Sequence, residues 1–188
     1  LKEPFLILDI GSGPGIMVKR ILRIFRNSKV IALDISLEMV KVSIIENKKL
    51  MDEKKIFHIT ADAFNLPFKK EVFDMVICHL TMHHFPEPEK PLKDSLNVLK
   101  TDGLIYIKDL YRPPRWIIPF YVSFFGVRYN KNMKKIYRKS LLAGFNYKEF
   151  KSIFRNSFQP GNWKIKRSFV THLVGYYTKQ NSLPVCKR

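Results

Sequence analysis

The sequence predicts an α/β protein built on a doubly wound, mostly parallel β-sheet with helices on both faces. Continuous apolar runs of strand length recur along the first 110 residues, and such runs are typical of strands buried on both faces. Amphipathic segments with helical spacing of apolar residues separate these runs. Because crossovers between parallel strands are right-handed, this alternation places helices on both sides of one sheet.

Seven segments have the composition and length of strands. In chain order they are residues 5–10 (FLILDI), 29–35 (KVIALDI), 55–62 (KIFHITAD), 71–80 (EVFDMVICHL), 103–110 (GLIYIKDL), 163–170 (WKIKRSFV) and 171–179 (THLVGYYTK). We expect the last two to close the sheet. No repeat or linker divides the chain, so residues 1–188 are expected to form a single domain.

Helices are predicted between the strands from apolar spacing and from capping residues. The predicted buried faces are Met17, Ile21, Leu22, Ile24 and Phe25 in the first helix, Met39, Val40, Ile44 and Ile45 in the second, Leu92, Leu96 and Leu99 in residues 89–100, and Phe150, Ile153 and Phe154 in residues 146–158. Ser36 can cap the second helix, and Asn146 with Glu149 has capping-box spacing. Residues 131–142 look helical, whereas residues 112–130 show no clean period.

The chain carries a strong positive charge. Lys and Arg number 34 against 16 acidic residues, a formal net charge of +18, which favours anionic partners such as nucleic acid, a membrane surface or an acidic small molecule. The alternative is that the lysines only solvate helix faces. Cys78 and Cys186 make no disulfide framework and predict a reducing, cytoplasmic setting. Because the sequence begins with Leu1 rather than Met, we expect a fragment or a trimmed product.

The stretch LDIGSGPG, residues 8–15, places three glycines directly after the first strand. Ligands of open parallel sheets bind outside the carboxyl ends of the strands, and glycine lets the backbone turn sharply and approach a ligand closely. A kinase-type phosphate loop is excluded because Gly15 is followed by Ile16 and Met17 instead of Lys and Ser or Thr. The dinucleotide fingerprint is incomplete because Ile16 occupies its last glycine position.

Acidic residues lie at the ends of three consecutive strands, on one rim of the predicted sheet. Asp34 ends the second strand, where a carboxylate can accept both hydroxyls of a ribose, and Asp62 ends the third, where it can meet an adenine edge. Asp9 lies near the end of the first. The pattern predicts a ribose-and-adenine site with no evident grip for a diphosphate, which leaves NAD and other adenosine nucleosides open.

Several stretches together resemble the class I S-adenosylmethionine-dependent methyltransferases over nearly all of the chain. LDIGSGPG resembles their first motif, IALDIS the second and ADAFNLPF the third, and residues 73–113 are similar to the ubiquinone/menaquinone-biosynthesis-type (methyltransferase type 11) branch. The resemblance implies a Rossmann-like seven-stranded sheet whose last strand is antiparallel. It also implies S-adenosylmethionine as the cofactor and S-adenosylhomocysteine (SAH) as its product.

The same resemblance implies which residues bind the cofactor. They are Asp9, Gly11, Ser12, Gly13, Gly15, Asp34, Ile35, Asp62, Ala63 and His79. The glycines would pass beneath the methionine part, and Asp9 would assist its ammonium group. Asp34 would hold the ribose hydroxyls, and Asp62 with the backbone of Ala63 would bind the adenine. His79 would offer its carbonyl to the ammonium and face the substrate.

A sulfonium methyl is already electrophilic, so an enzyme chiefly has to align a nucleophile with the C–S bond and exclude water. A general base helps where the nucleophile is a carbon acid, a phenol or a protonated amine, and the candidates are His83, His84, Tyr111 and Asp109. The alternative for the two histidines is a structural bond to the backbone. No Cys or acid cluster accompanies them at ligand spacing, so we expect no metal.

Two nucleic-acid chemistries are disfavoured at the end of the fourth strand. Enzymes that methylate amino groups of bases place an Asp/Asn-Pro-Pro-aromatic turn there, where this chain has CHLTMHHF. Pyrimidine C5 enzymes need a nucleophilic Cys beside Pro. Cys78 has no such neighbour and is expected to be a small core residue.

Residues 112–140 lie where this superfamily builds a lid over its substrate. Their aromatic residues alternate with Arg and Lys. Three interpretations are open: a lid over a quinone-like, lipid-like or anionic small molecule, a patch for peripheral membrane contact, and an RNA surface. The main prediction is a small-molecule methyltransferase, and the alternative is an RNA-modifying or RNA-binding protein with the same fold.

Overall fold

The computed structural model describes residues 5–179, so Cys186 lies outside the described residues. The strands form one seven-stranded sheet of order β3-β2-β1-β4-β5-β7-β6. They are β1 Leu6–Ile10, β2 Lys29–Asp34, β3 Ile56–Thr60, β4 Phe73–His79, β5 Leu99–Leu110, β6 Trp163–Ser168 and β7 His172–Thr178. The fifth strand therefore begins at Leu99 rather than at residue 103.

The first five strands are parallel, and β7 runs antiparallel to both β5 and β6. This confirms the predicted sheet with its antiparallel last strand. The chain builds outward from β1 through β2 to β3 and then returns to place β4 on the other side of β1. Strand order reverses at that point, which opens a crevice between the carboxyl ends of β1 and β4.

Seven helices cover the sheet in the part of the chain that the structure describes. They are α1 Ile16–Ile24, α2 Leu37–Glu46, α3 Lys48–Asp52, α4 Glu89–Val98, α5 Ile118–Phe125, α6 Lys131–Ala143 and α7 Tyr147–Ser157. One core layer lies between the sheet and the helices α4 and α7, and the other lies between the sheet and α1 with α3. The predicted placement of helices on both faces is confirmed.

The buried face of α1 differs from the prediction, which included Ile24 and left out Val18. Val18, Ile21 and Leu22 are buried, whereas Ile24 is 71% exposed. At about 100° per residue, Ile24 falls outside the arc that the three buried residues span. This segment contains so many apolar residues that their spacing alone does not identify the buried face of the helix.

The buried face of α2 also differs, because it is partly polar. Val40 and Ser43 are buried and are continued by the buried Asn47, while Ile45 is 75% exposed. The Asn47 side chain donates to the Ser43 carbonyl oxygen at 2.8 Å. A hydrophobicity pattern cannot reveal a buried face that is held by hydrogen bonds. The prediction that Met39, Ile44 and Ile45 are buried was wrong for this reason.

Residues 112–130 contain a helix, α5, that the sequence pattern did not predict. Apolar residues occur on all sides of this helix, so it has no polar face from which the helical period could be recognised. Ile118 and Tyr121 pack with Leu141 of α6 in a small separate core.

The predicted caps are present: the Ser36 side chain accepts from Met39 N, and Asn146 with Glu149 forms a capping box. Within residues 5–179, no helix has the length and apolar character needed to cross a bilayer.

Candidate functional site

A cavity of about 600 Å³ opens at the carboxyl ends of β1, β2 and β3, and we call it the rim cavity. It brings together six of the predicted cofactor-binding residues, Gly11, Gly13, Asp34, Ile35, Asp62 and Ala63. The remaining lining residues are Leu33, Met39, Ala61, Phe64, Leu80, Thr81, His84, Phe85 and Pro86. Asp9, Ser12, Gly15 and His79 lie outside this lining.

The glycine-rich loop has left-handed backbone at three positions, with φ of +66° at Gly11, +54° at Gly13 and +75° at Gly15. A side chain at Gly11 would place Cβ 2.1 Å from Cγ2 of Thr81, and one at Gly15 would place it 2.2 Å from Oγ of Ser43. Gly13 has nothing within 4 Å of such a Cβ. Only Gly13 therefore keeps open space beside the rim cavity, while the other two fit against the protein itself.

The Asp34 side chain, at the end of β2, is hydrogen-bonded to the glycine-rich loop. Its Oδ2 accepts from Gly13 N at 2.8 Å, and its Oδ1 accepts from Ser36 N at 2.9 Å. Each carboxylate oxygen has a further lone pair, so the group can still accept two hydroxyl protons from the cavity side. The carboxylate thus positions the backbone and presents acceptors to a ligand at once.

The far wall of the rim cavity is aromatic. Phe64 and Phe85 meet edge to face with their centroids 5.5 Å apart. Asp62 lies exposed beside them, and its Oδ1 accepts from Phe64 N at 2.9 Å. A planar apolar ring system fits such a wall, with the second carboxylate oxygen of Asp62 available at its edge.

Two buried polar atoms beneath the loop have no partner among the described residues, Oδ2 of Asp9 and Oγ of Ser12. Asp9 is 1% exposed. Burial, with a smaller contribution from the charge of Asp34, raises the pKa of Asp9 from 3.8 to about 7. An unpaired buried carboxyl is costly unless a cation or a hydrogen-bond donor meets it, so this position suits a ligand that carries an ammonium group.

His79 ends β4 beside this loop, and its side chain lines neither the rim cavity nor the cavity next to it. Its carbonyl oxygen accepts from Oγ1 of Thr81 at 3.2 Å. Burial lowers the pKa of the His79 ring to about 4, and the charges of Lys108, His172 and Arg20 act in the same direction. The ring is therefore neutral near pH 7, and the residue can contribute through its backbone.

A second cavity, of about 520 Å³, adjoins the rim cavity and shares Leu80 and His84 with it. We call it the lid cavity because α5 and α6 supply much of its wall. Its other lining residues are His83, Leu110, Phe125, Tyr129, Met133, Ile136, Tyr137, Ser140, Thr171 and His172. Leu80, in the shared wall, has a left-handed φ of +56°, a conformation that bulky residues adopt at a cost and mainly at functional sites.

His83 and Asp109 form a buried pair in the wall of the lid cavity. Nδ1 of His83 lies 2.6 Å from Oδ1 of Asp109, and the two side chains are 3% and 0% exposed. The His83 backbone N–H donates to Oδ2 of the same carboxylate at 3.2 Å. Because a carboxylate only accepts, the proton of a neutral His83 ring lies on Nδ1, which leaves Nε2 as a base.

His84 and His172 complete a group of three histidines around the lid cavity. The His83 and His84 rings lie 4.1 Å apart between centroids, and burial lowers the pKa of both His84 and His172. The sequence interpretation missed His172 because it lies in β7, and only the antiparallel pairing of Leu110 with His172 brings it here. No pattern along the chain signals that contact.

The structure does not bring Tyr111 together with the histidines. Its side chain borders a different groove, with Arg112 and Arg115, and Arg167 lies over its ring at 4.1 Å.

Cys78 is 2% exposed, as expected of a core residue, and burial raises the pKa of its thiol. Among residues 5–179, no cluster of three or more His, Cys, Asp or Glu could hold a metal ion.

Comparison with known proteins identifies the family. A family model described as a methyltransferase domain matches residues 8–107, which is more than half of the chain. The chain belongs to the methyltransferase domain family. The matched residues of this methyltransferase domain run from β1 into β5 and include most of the rim cavity.

Several curated relatives are similar to this methyltransferase domain. UbiE of Wigglesworthia glossinidia brevipalpis, a ubiquinone/menaquinone biosynthesis C-methyltransferase, is 35% identical over 111 residues, which cover 57% of this chain and 43% of the relative. A demethylmenaquinone methyltransferase of Clavibacter sepedonicus is 32% identical over 108 residues, covering 57% and 42%. The chain thus spans under half the length of these two relatives. The uncharacterized protein MJ0638 of Methanocaldococcus jannaschii is 28% identical and covers 95% of this chain and 70% of that protein.

Solved structures agree on the fold of the methyltransferase domain. The plantazolicin methyltransferase BpumL, in complex with a monoazolic desmethylPZN analog and SAH, superposes with a TM-score of 0.76 at 21% identity, covering 95% of this chain and 77% of BpumL. A SAM-dependent methyltransferase from Aquifex aeolicus gives a TM-score of 0.71 at 18% identity, covering 96% and 85%. The predicted family and Rossmann-like fold are confirmed.

Proposed function

We propose that this chain is an S-adenosylmethionine-dependent methyltransferase domain that acts on a small apolar acceptor. The observation that carries the proposal is the pair of adjoining cavities. The rim cavity has carboxylates and an aromatic wall, the lid cavity has an apolar wall with histidines, and the two meet at Leu80 and His84. A cofactor in the first and an acceptor in the second would have their reacting atoms at that junction.

The residues around the rim cavity fit the proposed cofactor. Asp34 offers free lone pairs to ribose hydroxyls, Phe64 and Phe85 offer a wall for an adenine ring, and Asp62 offers an acceptor at its edge. The unpartnered Oδ2 of Asp9 beneath the loop suits an ammonium group. No diphosphate grip is needed for this cofactor, which agrees with the incomplete dinucleotide fingerprint.

S-adenosylmethionine, when bound, supplies a methyl group on a positively charged sulfur. The protein then has to hold the acceptor in line and keep water away, for which the apolar wall of the lid cavity is suited. Nε2 of His83 takes a proton from the acceptor, and Asp109 holds the ring in place through Nδ1. A carboxylate that fixes the tautomer and orientation of a histidine in this way also stabilises the protonated ring.

The lining of the lid cavity supports an apolar acceptor. Leu110, Phe125, Met133 and Ile136 contribute apolar side chains, and the side chain of Arg or Lys is absent from the lining. An aromatic or hydroquinone-like molecule with one acidic proton fits this wall better than a polyanion does. The names of the UbiE and demethylmenaquinone methyltransferase relatives support the same class.

Methyl transfer to cell-extract fractions tests the proposal. Labelled S-adenosylmethionine should label the lipid or small-molecule fraction and not the RNA fraction, and the protein should bind SAH by calorimetry while ignoring NAD. His83→Asn and Asp109→Asn should each lower turnover by about 10²- to 10⁴-fold and leave the affinity for SAH unchanged. Asp102→Asn is the matched control because Asp102 is exposed near the start of β5 and lines neither cavity. Labelling confined to RNA would refute the acceptor class.

A further inference from the structure

A row of large apolar side chains is exposed along one side of α5 and its flanking turns. Trp116 is 81% exposed, Phe120 and Phe124 are each 63% exposed, and Val127 is 72% exposed. Phe120 and Phe124 are four residues apart on one side of α5, and their rings stack with centroids 5.7 Å apart. Trp116 lies in the turn before the helix and Val127 in the turn after it. We call this row the aromatic stripe.

The turn between β6 and β7 extends the aromatic stripe. Phe169 is 74% exposed and has a left-handed φ of +59°. Its ring meets Phe125 edge to face at 6.3 Å, and Phe125 in turn contacts Phe124 at 5.1 Å. The exposed apolar surface is thus continuous from the stripe to this turn. Apolar residues scattered singly over a protein surface do not form such a continuous patch.

The charge around the stripe has one sign only. Residues 112–140 contain eight Arg and Lys residues, namely Arg112, Arg115, Arg128, Lys131, Lys134, Lys135, Arg138 and Lys139, and no Asp or Glu. Arg115 directly precedes the aromatic stripe and Arg128 directly follows it. Among the described residues only Arg112 of this set has an acidic partner, Glu149. The cations are therefore free to meet an anionic surface.

We propose that the aromatic stripe and its flanking cations bind the surface of an anionic phospholipid membrane, with α5 lying flat in the interface. Apolar side chains enter the boundary between headgroups and acyl chains, while Arg and Lys remain at the phosphates. The groove of about 770 Å³ lined by Arg112, Arg115 and Arg138 adjoins the stripe and offers space for a headgroup phosphate. Phe125 of α5 and residues of α6 also line the lid cavity.

Anionic lipid is favoured over other occupants by the combination of features. A second copy of this chain carries the same positive charge and would be repelled. A nucleic acid strand would use the cations and stack on aromatic rings, whereas the stripe also exposes Val127, an aliphatic side chain that cannot stack on a base and that suits the acyl-chain boundary. The membrane proposal rests on the surface alone and does not depend on the methyl acceptor.

Vesicle binding tests the inference. The full chain should co-sediment with vesicles of phosphatidylcholine and phosphatidylglycerol, bind pure phosphatidylcholine vesicles at least about tenfold more weakly, and lose binding as salt rises. Trp116 reports the contact directly, because its emission should shift to the blue on binding. Phe120→Ser with Phe124→Ser should weaken binding at least about tenfold.

The matched control is Ile24→Ser with Ile45→Ser, since both residues are over 70% exposed and lie on α1 and α2. This control should bind vesicles as the unmodified chain does. Equal binding by the Phe120 and Phe124 double variant would overturn the inference, as would no binding by the unmodified chain. A dimer in light scattering that only the double variant abolishes, without vesicle binding, would assign the stripe to self-association. Binding of single-stranded RNA in preference to anionic vesicles would assign it to nucleic acid.

Discussion

The three glycines of the loop after β1 are required for different structural reasons, although they form one motif in the sequence. All three have left-handed backbone, which alone favours glycine. Gly11 and Gly15 also lie against Thr81 and Ser43, whereas Gly13 faces open space. The sequence assigned all of them to a ligand, and that assignment stays a prediction; the structure adds that Gly11 and Gly15 are also constrained by packing, whereas Gly13 is not.

Alanine substitutions should separate these roles. Gly11→Ala should lower the free energy of unfolding by more than Gly13→Ala, because its Cβ collides with Thr81 in addition to the cost of left-handed backbone, about 1–2 kcal/mol. Gly13→Ala should stay folded yet weaken SAH binding, since its methyl group enters the rim cavity. Urea denaturation and calorimetry measure the two quantities. Equal losses of stability would contradict this assignment.

Asp34 is expected to supply much of the ribose affinity. Asp34→Asn should weaken SAH binding by about 1.5–3 kcal/mol, the usual value of hydrogen bonds to a charged group, which is roughly a 10- to 150-fold rise in Kd. Glu53→Gln serves as a control because Glu53 is exposed beyond α3. Calorimetry that finds the same Kd in Asp34→Asn and the unmodified chain would remove Asp34 from the proposed site.

Asp9 makes the stability of the free protein depend on pH. Its pKa is raised to about 7 in the folded state, so between pH 4 and 7 the unfolded chain loses this proton while the folded chain keeps it. The free energy of unfolding therefore falls with rising pH, by up to about 1.4 kcal/mol per pH unit. Below pH 4 and well above pH 7 the contribution is flat.

Asp9→Asn tests this linkage because an amide does not titrate. The stability of the unmodified chain minus that of the variant should decrease between pH 4.5 and 7 and then level off, as measured by urea denaturation. Asp52→Asn, at an exposed position in α3, should show no such trend. A pH-independent difference for Asp9→Asn would mean that the folded carboxyl titrates as it does in the unfolded chain.

At the scale of elements, the sequence predicted the strands better than the helices. A strand such as β4 is buried on both faces and reads as a continuous apolar run. The burial of α2 depends on Ser43 and Asn47, and α5 is apolar on its exposed side as well. Hydrophobic periodicity therefore fails where hydrogen bonds hold the buried side or where the outer face is itself apolar.

The helix α7 offers a test at this scale. Asn146→Ala removes a bond to Glu149 N at 2.9 Å and releases the reciprocal bond from Asn146 N to Glu149 at 3.0 Å. We expect the free energy of unfolding to fall by about 1 kcal/mol. Asn130→Ala, at the N-cap of α6, removes a single exposed bond and should cost less. A loss for Asn130→Ala equal to that for Asn146→Ala would show that the reciprocal bond adds nothing.

At the scale of the whole molecule, the candidate site depends on sheet order. The glycine loop and the acids Asp34 and Asp62 were predicted together because they follow neighbouring parallel strands in sequence. His172 and Thr81 could not be predicted as part of the site. His172 reaches it because β7 pairs with β5 from the far end of the chain, and Thr81 contacts Gly11 because β1 and β4 are neighbours in the sheet. Local motifs identify the first half of the site, and topology supplies the second.

The net charge of +18 should make the free protein more stable at moderate salt. Like charges crowded into residues 112–140 repel one another in the folded state, and salt screens this repulsion with a Debye length that falls from about 30 Å at 0.01 M to about 8 Å at 0.15 M. Five ion pairs of Lys or Arg with a carboxylate among the described residues oppose the effect, and all five are at least partly solvent-exposed and weak. We expect the melting temperature to rise by about 2–4 °C between 0.01 and 0.15 M NaCl, as about 1 kcal/mol would give for this chain length. Sucrose at matched osmolality separates screening from preferential exclusion. A melting temperature that falls with NaCl would mean that the ion pairs outweigh the repulsion.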